Sequence, residues 1–96
     1  MSGYLMKPAL EDAEARIDWR QGYLEPGEYI DADLGWSVVP AGAGDDPTII
    51  RQCFDEGASH ARVRHGVPGR FYMLSARART NRGRPLERAI VLRIAV

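Results

Sequence analysis

The feature that most constrains the fold is the alternation of apolar and polar residues at the C-terminal end of the chain. Over residues 86–96, five of the six even positions are apolar, whereas the odd positions include Glu87 and Arg93. Side chains alternate between the two faces of a β-strand, so this pattern predicts a strand with one buried face. Residues 71–80 alternate in the same way, and a loop containing Gly and Pro (residues 81–85) joins the two segments. The C-terminal end therefore predicts a β-hairpin.

Strand patterns also occur upstream, separated by Gly- and Pro-containing turns. The clearest runs over residues 28–39, where Trp36 lies on the apolar face and Gly35 is a natural position for a bulge. The predicted type II turn that precedes the hairpin has Pro68 at its second position and Gly69 at the residue with positive φ. The other predicted strands cover residues 15–20, 48–54 and 59–65.

About six short strands without a convincing long helix favour a β-sandwich. We predict an all-β, immunoglobulin-like antiparallel β-sandwich without a disulfide, since Cys53 is the only cysteine. Cys53 is expected to be a buried small apolar residue. Trp36 is expected in the core, near Tyr72 on the facing strand. The 96 residues predict one domain over residues 11–96, preceded by a flexible arm over residues 1–10 that becomes ordered only in a larger assembly.

The charge of the chain is unevenly distributed although its formal net charge is zero. Residues 1–57 carry twelve acidic and four basic residues, whereas residues 58–96 carry nine arginines and the single acid Glu87. Two explanations remain open. The acidic and basic strands neutralise each other within one sheet, or the subunit has an acidic and a basic surface and associates head to tail or with a charged neighbour.

Six charged residues are the candidate interface. Arg62, Arg64, Arg77 and Arg79 are expected on adjacent antiparallel strands, where their guanidinium groups would form one patch. Like charges opposite one another destabilise a sheet, so acids are expected to face the patch. Those acids belong either to the chain itself or to a neighbouring subunit, and a nucleic-acid backbone is the least favoured partner. Asp31 and Asp33 lie two residues apart and are expected to share one strand face.

The sequence predicts no catalytic site, no metal site and no cofactor. Asp31 and Asp33 lack the spacing of a calcium loop. His60 and His65 fall on opposite faces of one regular strand, which excludes a metal shared between them there. The serines lack the context of a nucleophile elbow, and the glycines at Gly42 and Gly44 precede acids instead of a helix with lysine.

Most of the chain, from about Ile17 onward, resembles small proteins encoded in the structural modules of tailed bacteriophages and prophages, some of them fibre–tail adaptors. The order and spacing of several short motifs carry the resemblance, not any single motif. They are Asp18-Trp19, Gly27-Glu28-Tyr29-Ile30, Trp36-Ser37-Val38, Gly66-Val67-Pro68-Gly69-Arg70-Phe71-Tyr72, Thr80-Asn81-Arg82-Gly83-Arg84 and the Arg-rich apolar residues 88–94.

The resemblance implies a virion structural or adaptor protein that is made in the bacterial host cytoplasm and is not an enzyme. Its expected partners are other virion proteins of the tail, portal or fibre region, with possible head-to-tail self-association. No membrane partner is expected, and nucleic acid is the least favoured partner. The alternative is a carbohydrate-binding β-sandwich module, in which exposed aromatic side chains would stack on sugar rings. Its candidate aromatic residues are Tyr4, Trp19, Tyr23 and Tyr29.

Overall fold

The computed structural model describes residues 3–42 and 44–96, and over these residues the protein is an all-β sandwich. The first sheet has the strand order β1-β7-β6-β3 and the second sheet has the order β2-β5-β4. The described strands are β1 (Tyr4–Lys7), β2 (Ala13–Asp18), β3 (Ile30–Val39), β4 (Thr48–Phe54), β5 (Ala58–Arg64), β6 (Phe71–Thr80) and β7 (Pro85–Ile94). The predicted two-sheet, disulfide-free architecture is confirmed, and every strand predicted from the alternation is present within two residues of its predicted ends.

The β6–β7 hairpin forms the centre of the first sheet. Its strands pair antiparallel from Phe71–Arg93 to Arg79–Pro85. Thr80 starts the connecting loop, and its side-chain oxygen accepts hydrogen bonds from the backbone N–H groups of Arg82 and Arg84, both at 3.2 Å. The alternation seen in the sequence therefore reports a real division between a core face and an outer face.

The turn before the hairpin carries the chain from the second sheet to the first. The N–H of Arg70 donates to the carbonyl of Val67 at 3.1 Å, and Gly69 has φ +83°. Pro68 and Gly69 thus occupy the two central positions, as predicted. Gly66 has φ +126°, and a β-carbon added to it would collide with the side chain of Ile94.

Strand β3 contains the predicted irregularity and a second one. Its register against β6 shifts between Asp33 and Gly35, as expected, and also between Ile30 and Ala32. Each shift leaves one residue without a direct partner, which reverses the faces of the residues that follow. The strand therefore does not keep the ten-residue alternation that the sequence suggested.

The fully buried tryptophan of the core is Trp19, whereas Trp36, which was predicted to lie in the core, packs against its edge. Trp19 is 0% exposed, and its Nε1 donates to Ser59 Oγ at 2.9 Å. Trp36 does face inward, in register with Ala76. It is only half-buried because β3 is an edge strand of the first sheet. The buried apolar cluster comprises Ala15, Ile17, Trp19, Ile30, Val63, Tyr72, Leu74, Ala76, Ala78, Leu86, Ile90, Leu92 and Ile94.

The N-terminal segment differs from the predicted arm over residues 1–10. Residues 4–7 form β1, which pairs in parallel with β7; residues 1–2 lie outside the described part of the chain. Lys7 is fully buried, and its ammonium group donates to the carbonyls of Pro8 at 2.9 Å and Ala9 at 3.3 Å. Burial lowers the pKa of Lys7, although Asp12 and Glu11 partly oppose that shift. A four-residue strand is too short for alternation to distinguish it from irregular chain.

Candidate functional site

Arg62 and Arg64 lie on the outer face of the second sheet, where acids of the same chain pair with them. Arg64 makes a bidentate contact with Asp12, with both N–O distances at 3.1 Å. Arg62 donates to Glu14 at 2.8 Å and lies 3.4 Å from Asp12. Hydrogen bonding from Arg64, more than any other effect, lowers the pKa of Asp12. For these two arginines the chain's own acidic half is the partner, as one of the open explanations proposed.

Arg77 and Arg79 lie on β6 in the other sheet, so the four arginines do not form one patch. That expectation was wrong because the turn at residues 66–70 passes between sheets, and β5 and β6 are consecutive without being neighbours. Both side chains are exposed, and neither takes part in an ion pair or hydrogen bond among residues 3–42 and 44–96. The register partner of Arg77 is Glu87, but no contact within 4.0 Å joins their charges.

Asp31 and Asp33 do not share one strand face, because the first irregularity of β3 leaves Asp31 unpaired and reverses the faces of the residues that follow. Asp33 lies in register with the inward-facing Ala78 and its Oδ1 accepts the N–H of Gly35 at 2.8 Å. Its carboxylate thus supports the second bulge. Asp31 is the unpaired residue of the first bulge and is exposed.

The loops at one end of the sandwich are joined by charge-assisted hydrogen bonds that sequence analysis did not identify. Arg84 donates to both carboxylate oxygens of Glu28 and, at 2.8 Å, to the carbonyl of Tyr23. Arg82 bonds Glu25 at 3.3 Å and the carbonyl of Pro26 at 2.8 Å. The hydrogen bonds from Arg84 are the main reason that the pKa of Glu28 lies far below its usual range.

Two motifs of the phage resemblance therefore contact each other. Glu28 belongs to the Gly-Glu-Tyr-Ile motif and Arg84 to the Thr-Asn-Arg-Gly-Arg motif, which lie 56 positions apart. The backbones of Tyr29 and Asn81 add a further link, in which the N–H of Asn81 donates to the carbonyl of Tyr29 at 3.0 Å. These motif residues therefore hold the loops together. In the sequence, the only indication of this contact was that both motifs occur in the same chain.

The aromatic side chains considered for sugar binding do not form one platform. Trp19 is buried, and Tyr23 packs edge-on against it with the ring centroids 5.4 Å apart. The guanidinium group of Arg88 lies 5.7 Å from the Tyr23 ring centre. Tyr4 and Tyr29 are exposed, but Tyr4 lies on β1, whereas Tyr29 contacts the 81–84 loop at the far end of β6.

The outer face of the first sheet carries an exposed apolar area that the sequence analysis did not single out. Strand register places Val39, Met73, Val91 and Tyr4 in one row across all four strands. The next row contains Phe71, Arg93 and Met6, and the Arg93 guanidinium lies 5.5 Å from the Phe71 ring centre. In the sequence, these residues alternate with inward-facing residues as any outward-facing position of a strand does. The pattern therefore does not show that they form an exposed apolar area.

Within the described residues, no group of three His, Cys, Asp or Glu side chains converges as a metal ion requires. No described helix is long and apolar enough to cross a membrane.

Cys53 lies exposed on the edge strand β4, so the expectation that it is buried was wrong.

Comparison with known proteins connects this geometry to a family. A search of curated proteins finds no match. A sequence model described as podophage GP4 fiber-tail adaptor protein gp77 matches residues 7–93. This range includes every motif behind the phage resemblance except Ile94, the last residue of the final motif. It also includes every described strand except the first three residues of β1 and the last residue of β7. The chain belongs to the podophage GP4 fiber-tail adaptor protein gp77 family.

Proposed function

We propose that this protein is a structural component of a phage or prophage virion that mediates protein–protein contacts in the tail, portal or fibre region. The family match over residues 7–93 is the observation that carries the proposal. In this role the protein is an adaptor and not an enzyme. It is made in the cytoplasm of the bacterial host and becomes part of the particle.

The partners we propose are other tail, portal or fibre proteins. Within the candidate interface, the exposed Arg77, Arg79 and Asp31 have no ion pair among the described residues. They are therefore available for contacts between subunits. Arg62 and Arg64 already bond Asp12 and Glu14. Exposed ion pairs contribute only about 0–1 kcal/mol each, so such charges select the orientation of a partner more than they supply affinity.

Quantitative mass spectrometry of purified particles tests this proposal. Particles produced by the phage or prophage that encodes the chain should contain the protein in a constant ratio to the major tail proteins. Particles from a strain lacking the gene should have a defect in tail or fibre attachment, and expression of the chain in trans should restore it. Absence of the protein from particles that are otherwise complete would refute the proposed function.

A further inference from the structure

The apolar rows on the outer face of the first sheet are unusual for a surface that faces only water. Val39 is 62% exposed, Tyr4 53% and Met73 44% in the first row, while Phe71 is 58% and Met6 49% exposed in the second. Single exposed apolar residues are normal, but a contiguous apolar patch marks an interaction site. Here strand pairing makes the residues direct neighbours, so the patch does not depend on the conformation of a loop.

The rest of the same face carries small and charged side chains. Beyond the first apolar row, the register places three small residues, Ser37, Ser75 and Ala89, side by side. The following rows contain the two unpaired arginines, Arg77 and Arg79. Over the whole face, the paired positions carry three arginines, Arg77, Arg79 and Arg93, and the acid Glu87, and the first bulge of β3 adds the exposed Asp31. The face thus changes along the strands from apolar to charged.

We propose that this outer face of the first sheet is the docking surface for another virion protein. Its partner presents an apolar centre to Met73 and Phe71 and carboxylates to Arg77 and Arg79. The inference rests on the proposed adaptor function and adds the surface and the chemistry of the partner. Aromatic, methionine and arginine side chains are also the ones enriched in the centres of protein interfaces.

Charge complementarity favours a different protein over a second copy of this chain. The other broad face of the sandwich is the outer face of the second sheet, and it carries Arg16, Arg51, Arg62 and Arg64. Its acids Asp12, Glu14 and Asp18 already contact arginines of the same face. Stacking this face on the first sheet of another copy would bring these arginines close to Arg77, Arg79 and Arg93. Among the described acids of the two faces, only Glu87 and Asp31 have no ion pair. The arginines would therefore outnumber the free carboxylates, which is unfavourable.

A stable contact would use a modest part of the surface of this chain. A standard interface buries about 800 Å² on each partner, which is about one seventh of the 5559 Å² surface of this chain. Most of the binding free energy in such contacts comes from a few central side chains. Met73 lies on the inner strand β6, between β3 and β7, and is therefore the expected central residue.

The experiment measures the incorporation of variants into particles made by a strain that lacks the gene. Met73→Glu and the double variant Arg77→Glu/Arg79→Glu should each reduce the number of copies per particle at least ten-fold. Ile50→Glu is the matched apolar control, because Ile50 is 39% exposed on β4 of the second sheet. Arg51→Glu is the charge control on that sheet. Both controls should incorporate within two-fold of the unmodified protein.

Two further measurements separate loss of docking from loss of folding and identify the partner. Thermal melting of each purified variant must match the parent, and Met73→Gln provides a neutral variant if Met73→Glu is unstable. A photo-crosslinking amino acid placed at position 73 should join the chain to an identified virion protein, at a peptide containing Asp or Glu. The same reagent at position 50 should not produce that product.

Each result bears on a defined part of the inference. Normal incorporation of a folded Met73→Glu protein would overturn it, and so would equal losses in the Ile50→Glu control. A crosslink from position 73 to a second copy of this chain would replace the proposed partner with self-association. If the unmodified protein is absent from the particles, the proposed function itself fails, which is a separate result from failure of the docking surface.

Discussion

The two tryptophans give a sharp test of the inside and outside of this sandwich. Trp19 is 0% exposed, whereas Trp36 is half-buried on an edge strand. A fully buried large aromatic removes about 150–250 Å² from water. At about 25 cal/mol per Å² this corresponds to about 4–6 kcal/mol. The area is an upper bound because the unfolded chain already buries part of it, so we expect Trp19→Ala to cost about 3–5 kcal/mol.

The same reasoning gives a smaller value for Trp36→Ala. Part of the side chain stays exposed, and its buried Nε1 has no hydrogen-bond partner to lose, so the expected cost is about 2–3 kcal/mol. Trp19→Phe isolates the polar contribution. It keeps an aromatic ring but leaves the buried Ser59 hydroxyl without its donor, which should cost about 1–3 kcal/mol beyond the change in packing.

Urea unfolding followed by far-ultraviolet circular dichroism measures all three variants, since tryptophan fluorescence changes with the substitutions themselves. Domains of this size are stable by about 5–15 kcal/mol, so Trp19→Ala is expected to lose a large part of the total. Comparable slopes against urea would show that the unfolded states match. If Trp36→Ala costs as much as Trp19→Ala or more, the assignment of Trp19 to the core centre is wrong.

Two further predictions concern the loop contacts and the turn before the hairpin. Because the folded pKa of Glu28 is lowered by Arg84, the stabilisation from this pair should be complete above the ordinary glutamate pKa of about 4.3 and decline as the pH falls below it. The difference in unfolding free energy between the parent and Glu28→Gln should therefore stay constant from pH 7 to pH 5 and shrink by pH 3; a difference that grows with acidification would contradict this origin. Gly66→Ala should cost about 2–5 kcal/mol, because a β-carbon would both force a residue with φ +126° and collide with Ile94. Gly42→Ala is its matched control, since Gly42 has φ +101° but no atom within 4 Å of an added β-carbon, so it should cost only about 1–3 kcal/mol of backbone strain. Equal costs in the two variants, measured by denaturant unfolding, would show that the contact with Ile94 does not matter.

Two of the motifs behind the phage resemblance help to build the scaffold. The Glu28–Arg84 contact joins two motifs that are far apart in sequence, so both are explained by loop geometry without a binding role. The proposed docking surface lies elsewhere, on residues such as Met73 and Phe71, whose contribution is exposed area and position in the sheet.

The sequence by itself determined the strands and their faces wherever the backbone was regular. Tyr72, Leu74, Ala76 and Ala78 are buried as their alternation predicted. Alternation predicts burial here because the two-residue period is a local property of an extended backbone. Positions on a buried face require apolar residues, so the burial is visible in the sequence. The same pattern could not report the first bulge of β3, because an unpaired residue is defined by the partner strand.

Only the tertiary structure decided which strands are neighbours and therefore which outward side chains share a surface. Arg64 and Arg77 have the same local pattern, yet one pairs with Asp12 in the second sheet and the other lies unpaired on the first. The apolar row through Met73 exists because β1, β7, β6 and β3 assemble in that order and register. Strand order is set by long-range packing after each turn, and a turn such as the one at residues 66–70 has the same local chemistry whether it joins neighbours or crosses between sheets.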